Sequence, residues 1–180
     1  MAVLIEGISV VIKTAILTER YPGGWENFRE DVPNLTLCAD SELARVGFMA
    51  PADTRNYIEH LEQCGLRHLV NGKAEDLVVV DQRNGLCSPC NWVEIGRIGL
   101  DGDPNKPIQA CRLVGSTLQE IVTPDGWTFE HSLSKDFKFM EPGRTTEYMD
   151  RLPDKDGVEV YRDLKTGKIF YLGRTYPRRP

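Results

Sequence analysis

Cys87 and Cys90, two cysteines separated by two residues, are the side chains whose type and spacing are most suited to chemistry. They lie in a polar loop after the apolar run 77–80 and Asp81. Such a pair can form a redox centre or supply half of a zinc site. It can equally be two unreactive thiols in a turn or a core, because free cysteine behaves as a small apolar residue. The spacing alone leaves these three alternatives open.

The redox alternative requires a helix directly after the pair, because a helix N-terminus lowers the pKa of the first thiol. The run 77–81 predicts a suitable strand before the pair. Residues 92–98, however, alternate between apolar and polar side chains and predict a second strand. A thiol enzyme at this position would also have a Cys87 pKa well below the free value of about 8.5.

The zinc alternative requires four ligands, which usually come from two such pairs. The sequence has one pair, so further ligands would come from elsewhere in the chain: Cys38, Cys64, Cys111, His60, His68 and His131. His60 and Cys64 are four residues apart on a predicted helix and can lie together. Zinc held by Cys87 and Cys90 is kept as an alternative, and the primary expectation is a chain without a cofactor.

A second set of residues is better suited to recognition than to catalysis. Trp92 and Glu94 lie on one face of the predicted strand 92–98, and Arg112 lies on the predicted strand 108–114, which we expect to pair with it. A tryptophan with an acid and an arginine on adjacent strands can form a ligand pocket or an interface hot spot. The alternative is a core tryptophan with charges at the rim of the sheet. The predicted binding residues are these three and Asp81.

No catalytic residue is predicted. The sequence contains neither the Gly-x-Ser-x-Gly element of serine hydrolases nor a glycine-rich phosphate loop. Its net charge of −5 argues against a protein that binds nucleic acid by neutralising phosphates. The basic residues of the C-terminal tail, Arg174, Arg178 and Arg179, are interpreted as a solvated end of the chain.

From the predicted helices and strands around these residues we expect an α+β fold. It consists of a largely antiparallel sheet, two helices packed on one face, and a β-rich C-terminal extension. Residues 3–16 predict one long strand. Trp25, Phe28 and Val32 predict a short helix that ends at Pro33. The clearest helix runs from Pro51 to a cap at Gly65. The remaining predicted strands are 35–38, 43–49, 77–81, 92–98, 108–114, 118–123, 127–131, 158–163 and 168–173.

We expect a core domain at 1–115 and a β-rich extension at 116–180, which can belong to the same domain. The apolar run 3–12 is too short to cross a bilayer and has no basic leader, so we expect a cytoplasmic protein without a membrane segment. Five irregularly spaced cysteines are typical of reduced thiols rather than a secreted disulfide framework.

The absence of catalytic motifs favours a small, soluble, non-enzymatic protein that binds a protein partner, such as an inhibitor or an immunity-type module of microbial or phage origin. The acidic first two-thirds suits a basic partner. This hypothesis predicts that the exposed acids Glu59, Glu62 and Glu75 contribute to binding and that Cys87→Ser leaves it unchanged. The alternatives are a thiol-redox or zinc enzyme at Cys87 and Cys90, and a small-molecule pocket near Trp92. A homodimer is compatible with each hypothesis.

Overall fold

The computed structural model describes residues 1–116, 120–135, 149–155, 158–164 and 169–172. The elements of the first half are β1 (Ala2–Ile5), β2 (Ile8–Lys13), α1 (Thr14–Arg20), α2 (Gly24–Asp31), β3 (Cys38–Ala39), β4 (Leu43–Phe48), α3 (Pro51–Gln63), β5 (Leu69–Val70), β6 (Lys73–Ala74), β7 (Leu77–Asp81) and β8 (Gly85–Leu86). The later ones are β9 (Val93–Leu100), β10 (Asp103–Leu113), β11 (Ile121–Val122), a 3₁₀ helix (Phe129–His131), β12 (Met149–Lys155), β13 (Val158–Asp163) and β14 (Ile169–Leu172). The prediction of an α+β fold with a largely antiparallel sheet is confirmed.

A five-stranded sheet in the order β3-β4-β2-β7-β8, the central sheet, lies in the middle of the fold. Its pairs are all antiparallel. Val10 and Ile12 of β2 pack with residues of α1, α2 and α3 on one face, whereas Val11 packs on the opposite face. Both faces are buried, and this explains why β2 and β7 are nearly continuous apolar runs.

A second sheet in the order β11-β1-β10-β9 packs on the face opposite the helices. The core between the two sheets includes Val3, Ile5, Val78, Val80 and Cys111. The chain passes from one sheet to the other at Gly7, which has a φ of +59°. A Cβ atom at that position would lie 2.6 Å from the carbonyl oxygen of Phe48, so glycine is required for both conformation and space.

Two predictions about local structure are wrong. Residues 3–16 do not form one strand, because the chain bends at Gly7 and α1 begins at Thr14. Leu17 is fully buried in the core between the central sheet and the helices, so packing overrides the strand preference of the β-branched residues around it. Residues 127–131 do not form a strand, because Phe129–His131 form a 3₁₀ helix, and Ser132 donates from its hydroxyl to the carbonyl of Phe129 at 2.7 Å.

The hairpin predicted from Trp92 to Arg112 is confirmed, because β9 pairs with β10 and Glu94 lies opposite Arg112. Strand β12 was not predicted, whereas β13 and β14 lie where strands were expected, and these three form a separate three-stranded sheet. Strand β11 pairs with β1, so residues 121–122 belong to the second sheet. The division of the chain near residue 116 stays a prediction, and the basic tail at 173–180 lies outside the described residues.

Candidate functional site

A groove of about 500 Å³ lies between α3 and the central sheet, beside Asp81 and Cys87, and we call it the α3 groove. Helix α3 contributes residues spaced three and four apart, which lie on one side of a helix. The side chains that line the groove are Ile8, Pro51, Thr54, Arg55, Ile58, Glu59, Glu62, His68, Val79, Asp81 and Cys87. The groove therefore contains Asp81 and Cys87 of the sequence-predicted sites, together with the predicted binding acids Glu59 and Glu62.

The α3 groove combines apolar and acidic side chains. Ile8, Ile58 and Val79 supply apolar surface, and Glu59 and Glu62 are exposed along the helix. Neither glutamate has an ion-pair partner within the described part of the chain. With Asp81 also in the lining and Arg55 as its basic residue, the groove has a net negative charge.

Asp81 has a structural role at the end of β7. Its Oδ1 atom accepts hydrogen bonds from the backbone N–H groups of Arg83 at 2.8 Å and Asn84 at 2.9 Å. This is the side-chain-to-backbone pattern of an Asx turn, and it sets the path of the chain into β8. Asp81 is buried, and its charge acts on the nearby Cys87 thiol.

The pKa of Cys87 is raised above its ordinary value, first by burial and then by the charge of Asp81. Its sulfur lies 3.9 Å from the carbonyl oxygen of Gly85. His68, which also lines the groove, has its pKa lowered because burial penalises the imidazolium form. Reactive cysteines have lowered pKa values, so the raised pKa of Cys87 is the opposite of what a nucleophilic thiol requires.

Reaction with iodoacetamide gives a direct test of the Cys87 thiol. Because only the thiolate reacts, we expect the midpoint of the pH–rate profile at Cys87 to lie above that of a free cysteine peptide. Asp81→Asn should lower the midpoint, because the amide oxygen can still accept the two turn hydrogen bonds while the negative charge is gone. Peptide mass spectrometry measures the rate at each pH. A midpoint below that of the free peptide would reinstate the thiol-enzyme hypothesis.

The two cysteines of the pair lie in different surroundings. Cys87 is exposed at the α3 groove, whereas Cys90 packs against the core between the two sheets. All five cysteines are free thiols. Among the described residues, no group of three or more histidine, cysteine, aspartate or glutamate side chains is placed to hold a metal ion. These residues therefore do not supply a zinc site around the pair.

Trp92, Glu94 and Arg112 do not form a single pocket. Trp92 donates its indole N–H to the carbonyl of Ala74 at 3.1 Å, and the Lys13 ammonium lies 4.7 Å from the centre of its ring. Arg112 forms an ion pair with Glu94 at 3.0 Å, and both line a smaller cavity of about 190 Å³. The structure thus joins Glu94 to Arg112, packs Trp92 against the core between the sheets, and places Asp81 in the α3 groove.

Sequence reasoning missed a hydrogen-bonded group on the other side of α3. The Tyr21 hydroxyl lies 2.7 Å from Asp31 Oδ2 and 3.0 Å from His60 Nε2, and the sulfur of Cys64 lies 3.8 Å from the same histidine nitrogen. The four-residue spacing of His60 and Cys64 indicated one part of this group. Nothing in the sequence connects that helix to Tyr21 or Asp31.

Comparison with protein-family models, with curated proteins and with solved structures gave no match for this chain. Among the described residues, no helix is long and apolar enough to cross a membrane.

Proposed function

We propose that this chain is a non-enzymatic cytoplasmic binding protein that holds a basic segment of a partner protein in the α3 groove. The observation that carries the proposal is the pairing of an apolar lining with the exposed carboxylates of Glu59 and Glu62. An inhibitor or immunity-type module, which acts by occupying a partner rather than by chemistry, fits this description.

Each part of the groove has a distinct role in this proposal. The apolar side chains Ile8, Ile58 and Val79 receive an apolar side chain of the partner, and burial of that side chain supplies most of the affinity. Glu59 and Glu62 face its basic residues, and such charge complementarity favours correct partners and speeds association. Glu75, which the sequence grouped with these acids, does not line the groove and pairs with Arg67 at 3.6 Å.

Two observations favour binding over thiol chemistry at this position. The Cys87 pKa is raised, so little nucleophilic thiolate forms near neutral pH. Cys90 packs against the core between the sheets and does not line the groove, so the two thiols of the pair do not face a common cavity. The proposal retains the expectation that Cys87→Ser does not change binding.

Selection from a displayed library of random dodecapeptides tests the proposal without a known partner. We expect wild-type protein to enrich peptides that combine lysine or arginine with a large apolar residue. The double variant Glu59→Lys/Glu62→Lys should bind the selected peptides about tenfold more weakly or worse, because like charges then face each other. Binding is measured by fluorescence anisotropy at moderate ionic strength.

The matched control is Glu19→Lys/Glu30→Lys, which changes the net charge equally on exposed positions of α1 and α2. It should bind the selected peptides as wild type does, apart from a small long-range effect that salt removes. If both double variants lose affinity equally, the effect is one of net charge and the α3 groove is not the binding site. Failure of the selection to enrich basic peptides would also contradict the proposal.

A further inference from the structure

A second cavity, of about 340 Å³, lies on the opposite flank of α3, where β4 and α2 end. We call it the Tyr57 cavity. Helix α3 contributes Asp53, Asn56, Tyr57 and His60, which again follow the three- and four-residue spacing of one helix side. This side differs from the one that faces the α3 groove, so the two cavities share no lining residue.

Aromatic rings form one part of the cavity lining. The ring centres of Phe48 and Tyr57 are 5.2 Å apart, and Tyr57 stacks on His60 with a centre distance of 6.1 Å and an angle of 22° between the rings. Phe48 and Tyr57 are both buried. The rings are therefore held in place by the core, and the small parts of them that line the cavity form a fixed apolar wall against which a planar group can lie.

A carboxylate is held at the cavity by a tyrosine that directly follows α1. Asp31 lines the cavity, and its Oδ2 atom accepts a hydrogen bond from the hydroxyl of the buried Tyr21 at 2.7 Å. Asp31 is the last residue of α2, where the carbonyl end of the helix carries partial negative charge. A carboxylate is unfavourable there on its own, whereas a bound cation would interact favourably with both.

Hydrogen-bond donors and acceptors are unevenly distributed in this cavity. The Tyr21 hydroxyl uses its one proton toward Asp31, so toward Nε2 of His60, which lies 3.0 Å away, its oxygen can act only as an acceptor. The carboxylates of Asp31 and Asp53 are acceptors as well, and no lysine or arginine among the described residues lines the cavity. A ligand that only donates hydrogen bonds fits this lining.

We propose that the Tyr57 cavity binds a guanidinium group. A guanidinium is planar, carries a positive charge and has five N–H donors and no acceptor. Its flat face can lie against the parts of Phe48 and Tyr57 that line the cavity while its N–H groups donate to the carboxylates of Asp31 and Asp53. The group can belong to a free alkylguanidine or to an arginine side chain of a peptide, and both present the same chemistry to this site.

Titration of the full chain, followed by two-dimensional amide NMR, tests the proposal with three probes at constant ionic strength. n-Butylguanidinium represents the free cation, n-butylurea is its neutral isostere, and N-acetylarginine N-methylamide presents the group on a peptide. We expect saturable shifts at the amides of residues 53–60 with n-butylguanidinium and a Kd of about 1 mM, as suits a ligand of this size. n-Butylurea should bind about tenfold more weakly or not at all.

Three variants locate the site. Asp31→Asn keeps an acceptor for Tyr21 and removes the charge, and Asp53→Asn removes the second carboxylate. Both should raise the Kd of n-butylguanidinium about tenfold, whereas Asp125→Asn in an exposed turn should leave it unchanged. Two-dimensional spectra of the free variants verify that each one is folded.

Equal affinity for n-butylurea and n-butylguanidinium would overturn the proposal, as would equal affinity of Asp31→Asn and Asp125→Asn. Loss of binding in Glu59→Lys/Glu62→Lys but not in Asp31→Asn would assign the cation to the α3 groove instead. The peptide-like probe then identifies the source: binding as tight as that of n-butylguanidinium supports an arginine side chain, and weaker binding supports a free alkylguanidine.

Discussion

Replacement of Arg45 by alanine is expected to lower the free energy of unfolding by about 4 kcal/mol or more. The Arg45 side chain is 1% exposed, on the face of β4 that packs toward the second sheet. Its guanidinium donates to the Ser9 hydroxyl at 2.9 Å, to the Thr36 carbonyl at 3.2 Å and to the Glu6 carbonyl at 2.7 Å. Alanine would leave three buried acceptors without this donor and also a cavity, and each of these effects is destabilising.

Arg45→Met separates these two effects, because methionine restores most of the volume without the donors. Burial lowers the pKa of the Arg45 guanidinium, which means that the charged form is costly to keep in the core. Removal of the charge recovers part of that cost. We therefore expect Arg45→Met to lose about 2 kcal/mol, less than Arg45→Ala but still more than a surface change.

Urea unfolding measures both variants, and Arg29→Ala is the matched control. Arg29 is exposed on α2 and pairs with Glu26 at 2.7 Å, so its removal should change stability by no more than about 0.5 kcal/mol. A loss in Arg45→Ala as small as in this control would mean that the guanidinium hydrogen bonds contribute no net stability. A more stable Arg45→Met would mean that the cost of burying the charge exceeds their contribution.

The position of Arg45 illustrates what the sequence can and cannot predict. The run 43–49 correctly predicted strand β4, but an arginine within a strand ordinarily indicates a solvent-exposed face. Here the strand lies between a helical layer and a second sheet, so both of its faces are buried. The sequence contains no local signal for that second sheet, because β1, β9 and β10 are distant from β4 along the chain.

Elements with a strong local pattern were predicted well. Strand β7 begins at Leu77 and ends at Asp81 as expected, and the helix expected from Pro51 is α3, which buries Tyr57 and Leu61. The candidate sites were predicted only in part, because each cavity is assembled from several elements. Asp81 and Cys87 lie together with α3 in the α3 groove only because β2 pairs with β7 and α3 packs on this sheet.

Glu6→Gln is expected to lower the free energy of unfolding by about 2–4 kcal/mol. Glu6 is the one charged residue within the apolar run 3–12, and the structure buries it at the corner between the two sheets. Its Oε1 atom accepts from the indole N–H of Trp127 at 2.7 Å. Its Oε2 atom accepts from the backbone N–H and the hydroxyl of Ser134, both at 2.7 Å.

A glutamine cannot replace this arrangement in either orientation of its amide. Its NH₂ group would face the indole N–H of Trp127 or the backbone N–H of Ser134, and in both cases two donors would meet in a buried site. We expect the amide of Ser134 to lose protection from hydrogen exchange to a greater extent than the amides of β2, because the segment from Trp127 to Ser134 is held to the corner by this carboxylate.

Urea unfolding and native-state hydrogen exchange measure the two effects, with Glu94→Gln as the control. Glu94 is exposed and pairs with Arg112. Its replacement by glutamine should therefore change the free energy of unfolding by about 0.5 kcal/mol or less and leave the hydrogen exchange of the Ser134 amide unaltered. Equal stability of Glu6→Gln and wild type would mean that Trp127 and Ser134 find other acceptors. If stability falls but Ser134 keeps its protection relative to β2, then Glu6 stabilises the corner at Gly7 as a whole rather than the segment it binds.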